Sequence, residues 1–350
     1  MLCSSARWTS GEYTFPMLHE ETREPLSKPA FRPRKDWRAA RIPLYRFLTP
    51  RYWPIWIGIG CVRVITFLLP YTALMALGRA FGRLAYLVAR RERRIADVNI
   101  RLCLPELSAE ERRALIKRHF LSLGCSLFET AMVWWAGERE LRPLMHAEGV
   151  ENIHQALAKG RGAILLAAHF TTLEIGARAL ALYGPTSVMY MTPRNPLIAE
   201  LSRRGRSHAA VQAIPAEQVR DLLQNLKNNV SVWYAPDQRH TEKNSALVPF
   251  FGRPAATNVA TSRIARITGA AVLPYFLVRL PGKGGYALKI YPALENFPSE
   301  DPVQDAAVFH ALIEKHVREC PEQYLWTYKR FKVPGAGGDP YKSAAAKSES

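Results

Sequence analysis

The stretch Gly162–Glu174, GAILLAAHFTTLE, decides how the chain is read. Ala163 to Ala168 is a short, wholly apolar run of the kind that forms a buried strand. It ends at His169, and a helix is expected to begin at Thr171 or Thr172, where a threonine hydroxyl can cap it. On one ideal helix a five-residue separation would leave His169 and Glu174 about 140° apart. With His169 in the turn and only Glu174 on the helix, the turn can bring them together. An imidazole at a strand's carboxyl end, steadied by a carboxylate that fixes its tautomer, can act as a general base. A lone His and Glu at loosely specified spacing are more often structural than catalytic, so the pair needs support from elsewhere in the chain.

Working outward, strands and helices alternate. Ile153–Lys159 reads as a helix closed by Gly160, followed by the strand ending at His169 and a helix to about Leu182. Ser187–Met191 is a strand, and Leu197–Arg203 a short helix stopped by Gly205. Pro215 opens a helix with Val219, Leu222, Leu223 and Leu226 on one face. Val230–Ala235 is a strand, and Thr257–Thr268 a helix ending at Gly269. Ala271–Leu280 and Tyr286–Tyr291 form a hairpin about the turn PGKGG, and Val303–Val317 is the last clear helix. This order implies an α/β fold: a mostly parallel central sheet flanked by helices. A ligand site is expected at the strands' carboxyl ends, where His169 and Asp237 both fall.

Two further polar stretches bear on function. Tyr234–Thr257 places Asp237 just past a strand, then Arg239, His240 and Lys243, then the apolar loop Val248–Gly252. A turn-capping role and a functional one are equally open for Asp237, whereas Arg239 and Lys243 read first as a solvated loop. The stretch MTPRNPLIAELSRRGR carries Arg194, Arg203, Arg204 and Arg206. Arginine's planar fork suits phosphate and carboxylate groups, although such charge runs are usually wet helix faces. Arg206, beyond Gly205 and turned off the helix, is the first choice among them.

The most apolar segment is Tyr52–Gly78. Arg63 interrupts it, Pro70 would kink it, and its longest uncharged run, Val64–Gly78, is short for a membrane span. Arg51 on one side and Arg79, Arg83, Arg90, Arg91, Arg93 and Arg94 on the other suit a membrane interface. A single anchor, spanning or partly inserted, is expected, with a buried helix hairpin as the other reading. Ser108 and Glu111 form a capping box that opens a helix through Phe120, continuing or restarting after Gly124. Its Leu127–Trp135 face is ordinary core by default, but would also suit a long alkyl chain.

The formal charge of +18 calls for a negatively charged partner. Basic residues interleaved with stacking aromatics are not evident, which argues against nucleic acid. The five cysteines are scattered without CxxC spacing, as suits a reducing compartment. No HExxH and no Cys/His cluster offers a metal site, and no Gly-rich phosphate loop occurs.

Several separated blocks together resemble the late acyltransferases of lipid A biosynthesis, the lauroyl/myristoyl (Kdo-lipid A) acyltransferase family of Gram-negative inner membranes. The blocks are LPY at 69–71, RRERRIADVNIRLCLPELSAEER at 90–112, FLSLG at 120–124, HFTTLE at 169–174 and NPL before RRGR. WYAPDQ at 233–238, VPFFG with PAAT, and YLWTYKRFK at 324–332 complete the set, so the likeness runs from about Arg41 to Lys332. The resemblance implies a glycerolipid-acyltransferase-like fold and transfer of an acyl chain from acyl carrier protein to a hydroxyl of a Kdo-bearing lipid A precursor. It implies no cofactor, metal or covalent intermediate, and a catalytic face on the cytoplasmic side of the inner membrane. His169 and Glu174 match its H-x4-D/E pattern, His169 as general base and Glu174 as the group holding the ring. Arg206, then Asp237, Arg194, Arg203 and Arg239, are expected to bind substrate, and Leu127–Trp135 with Phe250 and Phe251 to line an acyl groove. The expected organisation is a basic, unstructured extension over 1–45, a membrane anchor or interfacial helix over 46–90, the acyltransferase domain over 91–333 and an unstructured tail over 334–350. Acylation of a glycerophospholipid or phosphoinositide glycolipid, or a non-catalytic basic membrane- or nucleic-acid-binding role, are the rival readings.

Overall fold

The computed structural model describes residues 42–207, 210–240, 243–333 and 339–342. Residues 1–41 and most of the tail expected over 334–350 therefore lie outside the described residues.

Four long helices come first: α1 Trp53–Leu68, α2 Tyr71–Val88, α3 Arg90–Cys103 and α4 Ala109–Trp135. Pro70 divides the apolar segment between α1 and α2, because a proline cannot continue the ladder and biases the preceding residue to extended backbone, as Leu69 adopts. At sixteen residues α1 spans about 24 Å, short of the roughly 30 Å hydrocarbon core. Among the described residues no helix is long and apolar enough to cross a membrane, so the spanning anchor is not supported.

The capping box is present. Glu111 N–H donates to Ser108 Oγ at 3.2 Å, and Ser108 N–H to Glu111 Oε2 at 2.7 Å. The helix it opens runs unbroken through Gly124 for 27 residues. Gly124 is needed for close crossing rather than as a break. A Cβ on Gly78 would stand 2.7 Å from Cys125 Cα, and one on Gly82 2.7 Å from Leu121 Cα. Three glycines thus let α2 lie directly on α4.

The remaining chain alternates. α5 Glu138–Leu141, β1 Met145–Glu148, α6 Val150–Ala158, β2 Ala163–Leu166, α7 Leu173–Leu180, β3 Thr186–Tyr190 and α8 Pro196–Arg206 come first. β4 Ala213–Pro215, α9 Val219–Lys227, β5 Ser231–Tyr234, β6 Ser245–Phe250, β7 Arg253–Asn258, α10 Ala260–Thr268, β8 Ala271–Arg279, β9 Tyr286–Ile290 and α11 Pro302–Glu319 follow. Seven strands make one sheet in the order β1-β9-β8-β2-β5-β3-β4, parallel at every pairing except β8 with β9. This is the expected mixed α/β architecture.

The sheet is covered on both faces, so its central strand is apolar throughout rather than alternating. Ile164 and Leu166 of β2 join a cluster with α3, the first half of α4, α9, α10 and α11. Ala163 and Leu165 join a second cluster with α2, the second half of α4, α6 and α7. α4 therefore serves both layers, and its Phe128, Met132 and Val133 are core.

Three local readings change. β6 and β7 form an antiparallel hairpin where a loop and the start of a helix were expected, so α10 begins only at Ala260. Its two-residue turn is Phe251 (φ +50°) and Gly252 (φ +68°), both left-handed, as a tight hairpin of this kind requires. A short edge strand, β4, ends at Pro215, where a helix start was read. At the tail, Tyr341 is buried: its hydroxyl donates to Asn99 Oδ1 at 2.6 Å and accepts from Phe331 N–H at 3.0 Å.

Candidate active site

Parallel pairing of β2 with β5 sets Leu166 opposite Tyr234. His169 and Asp237 each lie three residues beyond that pair, so the register delivers both to the same point at the sheet's carboxyl edge. His169 Nδ1 and Asp237 Oδ1 are 2.6 Å apart, and the backbone N–H of His169 donates to Asp237 Oδ2 at 2.9 Å. One carboxylate thus grips the residue twice, fixing ring and backbone together. With Nδ1–H donating, Nε2 is the acceptor nitrogen; among the described residues it carries no hydrogen bond.

Asp237 is 2 % exposed. Burial works to raise its carboxyl, but the attraction of the His169 ring, the two bonds from that residue and the nearby Arg330 guanidinium together hold it below the ordinary carboxylate value. Asp237 is therefore an acceptor at neutral pH, which keeps the proton on Nδ1.

Glu174 occupies the first turn of α7, as read, but its partner is not the imidazole. Both its oxygens accept from Arg206: Oε2 from Nε at 3.1 Å, and Oε1 from Nη2 in a short contact. The His169–Glu174 contact expected from sequence is therefore replaced by His169–Asp237 and Glu174–Arg206. Arg206 is also not turned off the helix, because α8 continues through Gly205 and ends on it. Its guanidinium lies 4.7 Å from the Tyr190 ring centre, and its Nη1 is buried without a partner. Arg203 and Arg204 both close on the buried Glu200, at 3.0 and 2.6 Å through their Nε atoms, so they are engaged within α8. Arg194 is exposed before α8, and Arg239 Nη1 donates to the Lys332 carbonyl at 3.4 Å. Of the five expected substrate contacts, Asp237 and Arg206 flank the site through the elements just named, and the other three do not join them in one cluster.

The last block of sequence, YLWTYKRFK, supplies what the spacing argument missed. Leu325 N–H donates to the His169 carbonyl at 3.0 Å, and Asn99 Nδ2 holds the Trp326 and Tyr328 carbonyls at 2.6 and 2.7 Å. A small pocket beside His169 and Asp237 is walled by Phe250, Tyr324, Trp326 and Arg330. Phe250 packs in the core against Tyr324 and His310 and is 1 % exposed. Of the side chains expected to line an acyl groove, Phe250 walls this pocket, Phe128 is core and Leu127 is exposed. Among the described residues no group of three or more His, Cys, Asp or Glu side chains is placed to hold a metal ion.

An imidazole with an ionised orienting carboxylate at an α/β sheet edge can accept a proton from a hydroxyl or thiol. Comparison with known proteins narrows the class. The lipid A biosynthesis palmitoleoyltransferase of Escherichia coli K12 is 38% identical over 295 residues, covering 83% of this chain and 95% of that protein. The lipid A biosynthesis lauroyltransferase of the same organism is 35% identical over 291 residues, with 83% and 95% covered. The myristoyltransferase of that biosynthesis is 28% identical over 307 residues, with 85% and 92% covered. The family profile for bacterial lipid A biosynthesis acyltransferases matches residues 43–333, from the first 3₁₀ turn to the Arg330–Phe331 segment that closes the pocket. The chain belongs to the bacterial lipid A biosynthesis acyltransferase family.

Proposed function

We propose that this protein moves a fatty acyl chain from acyl carrier protein to a hydroxyl of a Kdo-bearing lipid A precursor, with His169 as general base and Asp237 as its orienting carboxylate. The observation that carries this reading is the double grip of Asp237 on His169, at 2.6 Å to the ring and 2.9 Å to the backbone. In the proposed step Nε2 accepts the proton of the acceptor hydroxyl as that oxygen attacks the thioester carbonyl carbon. The new C–O bond forms, the C–S bond breaks, and the imidazolium returns the proton to the departing thiolate. Asp237 stabilises the positive ring while it exists. General-base assistance accounts for about 10²–10⁴-fold; positioning and charge stabilisation supply the rest. Glu174 acts one residue removed, holding Arg206, whose partly exposed side chain can meet an acidic group of the acceptor lipid.

The membrane is engaged at its interface through α1 and α2. Among the described residues twenty large apolar side chains are exposed, and thirteen of them lie between Ile42 and Val88. α1 has no buried residue, and Phe67 is 88 % exposed. The exposed Arg83, Arg90 and Arg91 border the end of this surface. An exposed apolar helix segment with a basic margin suits insertion to headgroup depth in an anionic leaflet. Phe67→Asp with Leu68→Asp is expected to reduce co-sedimentation with vesicles containing anionic lipid while the protein stays folded; undiminished binding would rule this surface out.

The central test is transfer of radiolabel from acyl-acyl carrier protein to a panel of acceptors. Wild type should label the Kdo-bearing precursor in preference to glycerophospholipids. Folded His169→Ala should fall by at least about 10²-fold. Wild-type turnover in that variant would remove the imidazole from the chemistry.

A further inference from the structure

We propose that Glu129, Arg279 and Ser122 form a buried positioning relay that holds the His169–Thr172 turn in register, an inference that rests on the base role given to His169. The FLSLG block puts Ser122 on the inner face of α4, two residues before Gly124, and Glu129 lies seven residues, about two turns, further along the same helix. Arg279 is the last residue of β8. Its Nε and Nη2 donate to Oε1 and Oε2 of Glu129, both at 2.6 Å, and its Nη1 donates to Ser122 Oγ at 2.8 Å. Ser122 Oγ is in turn 2.7 Å from Thr171 Oγ1, two residues beyond the catalytic imidazole. Tyr286 O–H donates to the same Glu129 at 2.8 Å, so its Oε1 accepts two bonds and its Oε2 one.

Further supports of the turn come from the same end of β8. Gln323 bridges them: its Oε1 accepts from Arg279 N–H at 2.8 Å, its Nε2 donates to the Arg279 carbonyl at 2.9 Å, and its own carbonyl accepts from Thr171 N–H at 2.7 Å. Thr172 Oγ1 donates to the Leu277 carbonyl of β8 at 2.7 Å. The turn is therefore hung from the end of β8 on both its side-chain and its backbone sides.

Stability alone is a poor explanation for this arrangement. Glu129 is 1 % exposed and its partner nearly as deep, and a buried ion pair seldom outperforms apolar residues of equal volume. What a bidentate arginine–carboxylate pair supplies is direction. Here that direction ends on Thr171, and a misplacement of about 1 Å at a reacting group is worth as much as 10²-fold in rate. None of these residues touches the reacting atoms, so their effect must pass through His169.

The test uses the purified full chain in mixed micelles, with radiolabelled lauroyl-acyl carrier protein and the Kdo-bearing precursor as probes. Ser122→Ala and Thr171→Val each remove one hydroxyl from the relay without opening a large cavity. Each is expected to lower kcat about tenfold with both KM values held. The double variant should be no slower than the slower single one, because both break the same bond, and Thr171→Ser, which keeps the hydroxyl, should restore turnover. Glu129→Gln, assayed on its folded fraction, should reproduce the kcat loss. Unchanged kcat in Ser122→Ala, losses that multiply in the double variant, or no recovery in Thr171→Ser would each overturn the relay. His169→Ala separates the two levels: if it is inactive while Ser122→Ala runs at full speed, the relay alone fails. If His169→Ala itself runs at full speed, the base reading fails and the relay with it.

Discussion

Asp237 and Glu174 reach the carboxyl end of the sheet from different directions, and they meet opposite kinds of partner. Glu174 lies five residues after His169 in sequence, on the first turn of α7, and spends both oxygens on Arg206. Asp237 lies 68 residues away, yet it binds both the ring and the backbone of His169. The difference is one of secondary-structure geometry. A helix starting at Leu173 carries its first-turn side chains away along its own axis, whereas two paired parallel strands bring equivalent positions side by side. Nearness in the chain is the weaker guide at a sheet edge.

The largest expected effect tests that division directly. Asp237→Asn keeps the shape but removes the charge that holds the proton on Nδ1 and stabilises the imidazolium. Turnover should fall by about 10²–10⁴-fold, with substrate KM values little changed. Acyl transfer by the purified variant, with circular dichroism to show it is folded, gives the answer. If Asp237→Asn runs near wild-type speed while Glu174→Gln is dead, the two carboxylates have been assigned the wrong way round.

Glu174→Gln and Arg206→Lys should do less and do it elsewhere. Both loosen the fork that holds the Arg206 side chain in place, so KM for the lipid acceptor should rise about tenfold while KM for acyl carrier protein holds. One tenth of the affinity corresponds to about 1.4 kcal/mol, the size of a single hydrogen bond to a charged group. A kcat loss equal to that of Asp237→Asn would instead put Glu174 in the proton transfer.

The same contrast explains what could be read before the structure was known. The strand before His169, the strand before Asp237, the β8–β9 hairpin and the placing of both residues at the strands' carboxyl ends were all legible, because apolar runs and glycines report local geometry. The partner of His169 was not, since strand order is set by long-range packing that no local pattern encodes. The β6–β7 hairpin was hidden by its own composition. Pro249 faces Pro254 across it and a phenylalanine holds a left-handed turn position, each of which argues against a strand pair when read alone. Glu314 Oε1, accepting from Phe251 N–H at 2.6 Å, anchors that turn from α11, a contact visible only in three dimensions. Ser122 and Glu129 fell inside a helix that was read correctly, but helical periodicity marks a face without saying what it meets.

The smallest expected effect moves stability and leaves the rate per folded molecule alone. His169 has a carboxylate partner, whereas His119 and His310 lie in the core with their Nδ1 atoms on the carbonyls of Glu322 and Pro249, at 3.1 and 2.8 Å. Burial pushes both rings from the ordinary 6.5 down to about 4, with the Arg330 charge adding to the effect at His310. Between those values the unfolded chain binds protons that the folded chain refuses, so stability is lost as pH falls from 6.5 toward 4. One unit below the ordinary value the loss is about 1.4 kcal/mol for each ring. Asp237 contributes with a different window: its lowered carboxyl stabilises the fold above the ordinary 3.8, and that contribution disappears only at still lower pH. Urea unfolding at pH 7.5 and 5.5 should therefore show the histidine loss in wild type, with the slope reduced in His119→Asn. A pH-flat stability across that interval would mean that the core imidazoles accept protons in the folded state, and the distinction between a histidine paired for chemistry and one paired for packing would lose its electrostatic basis.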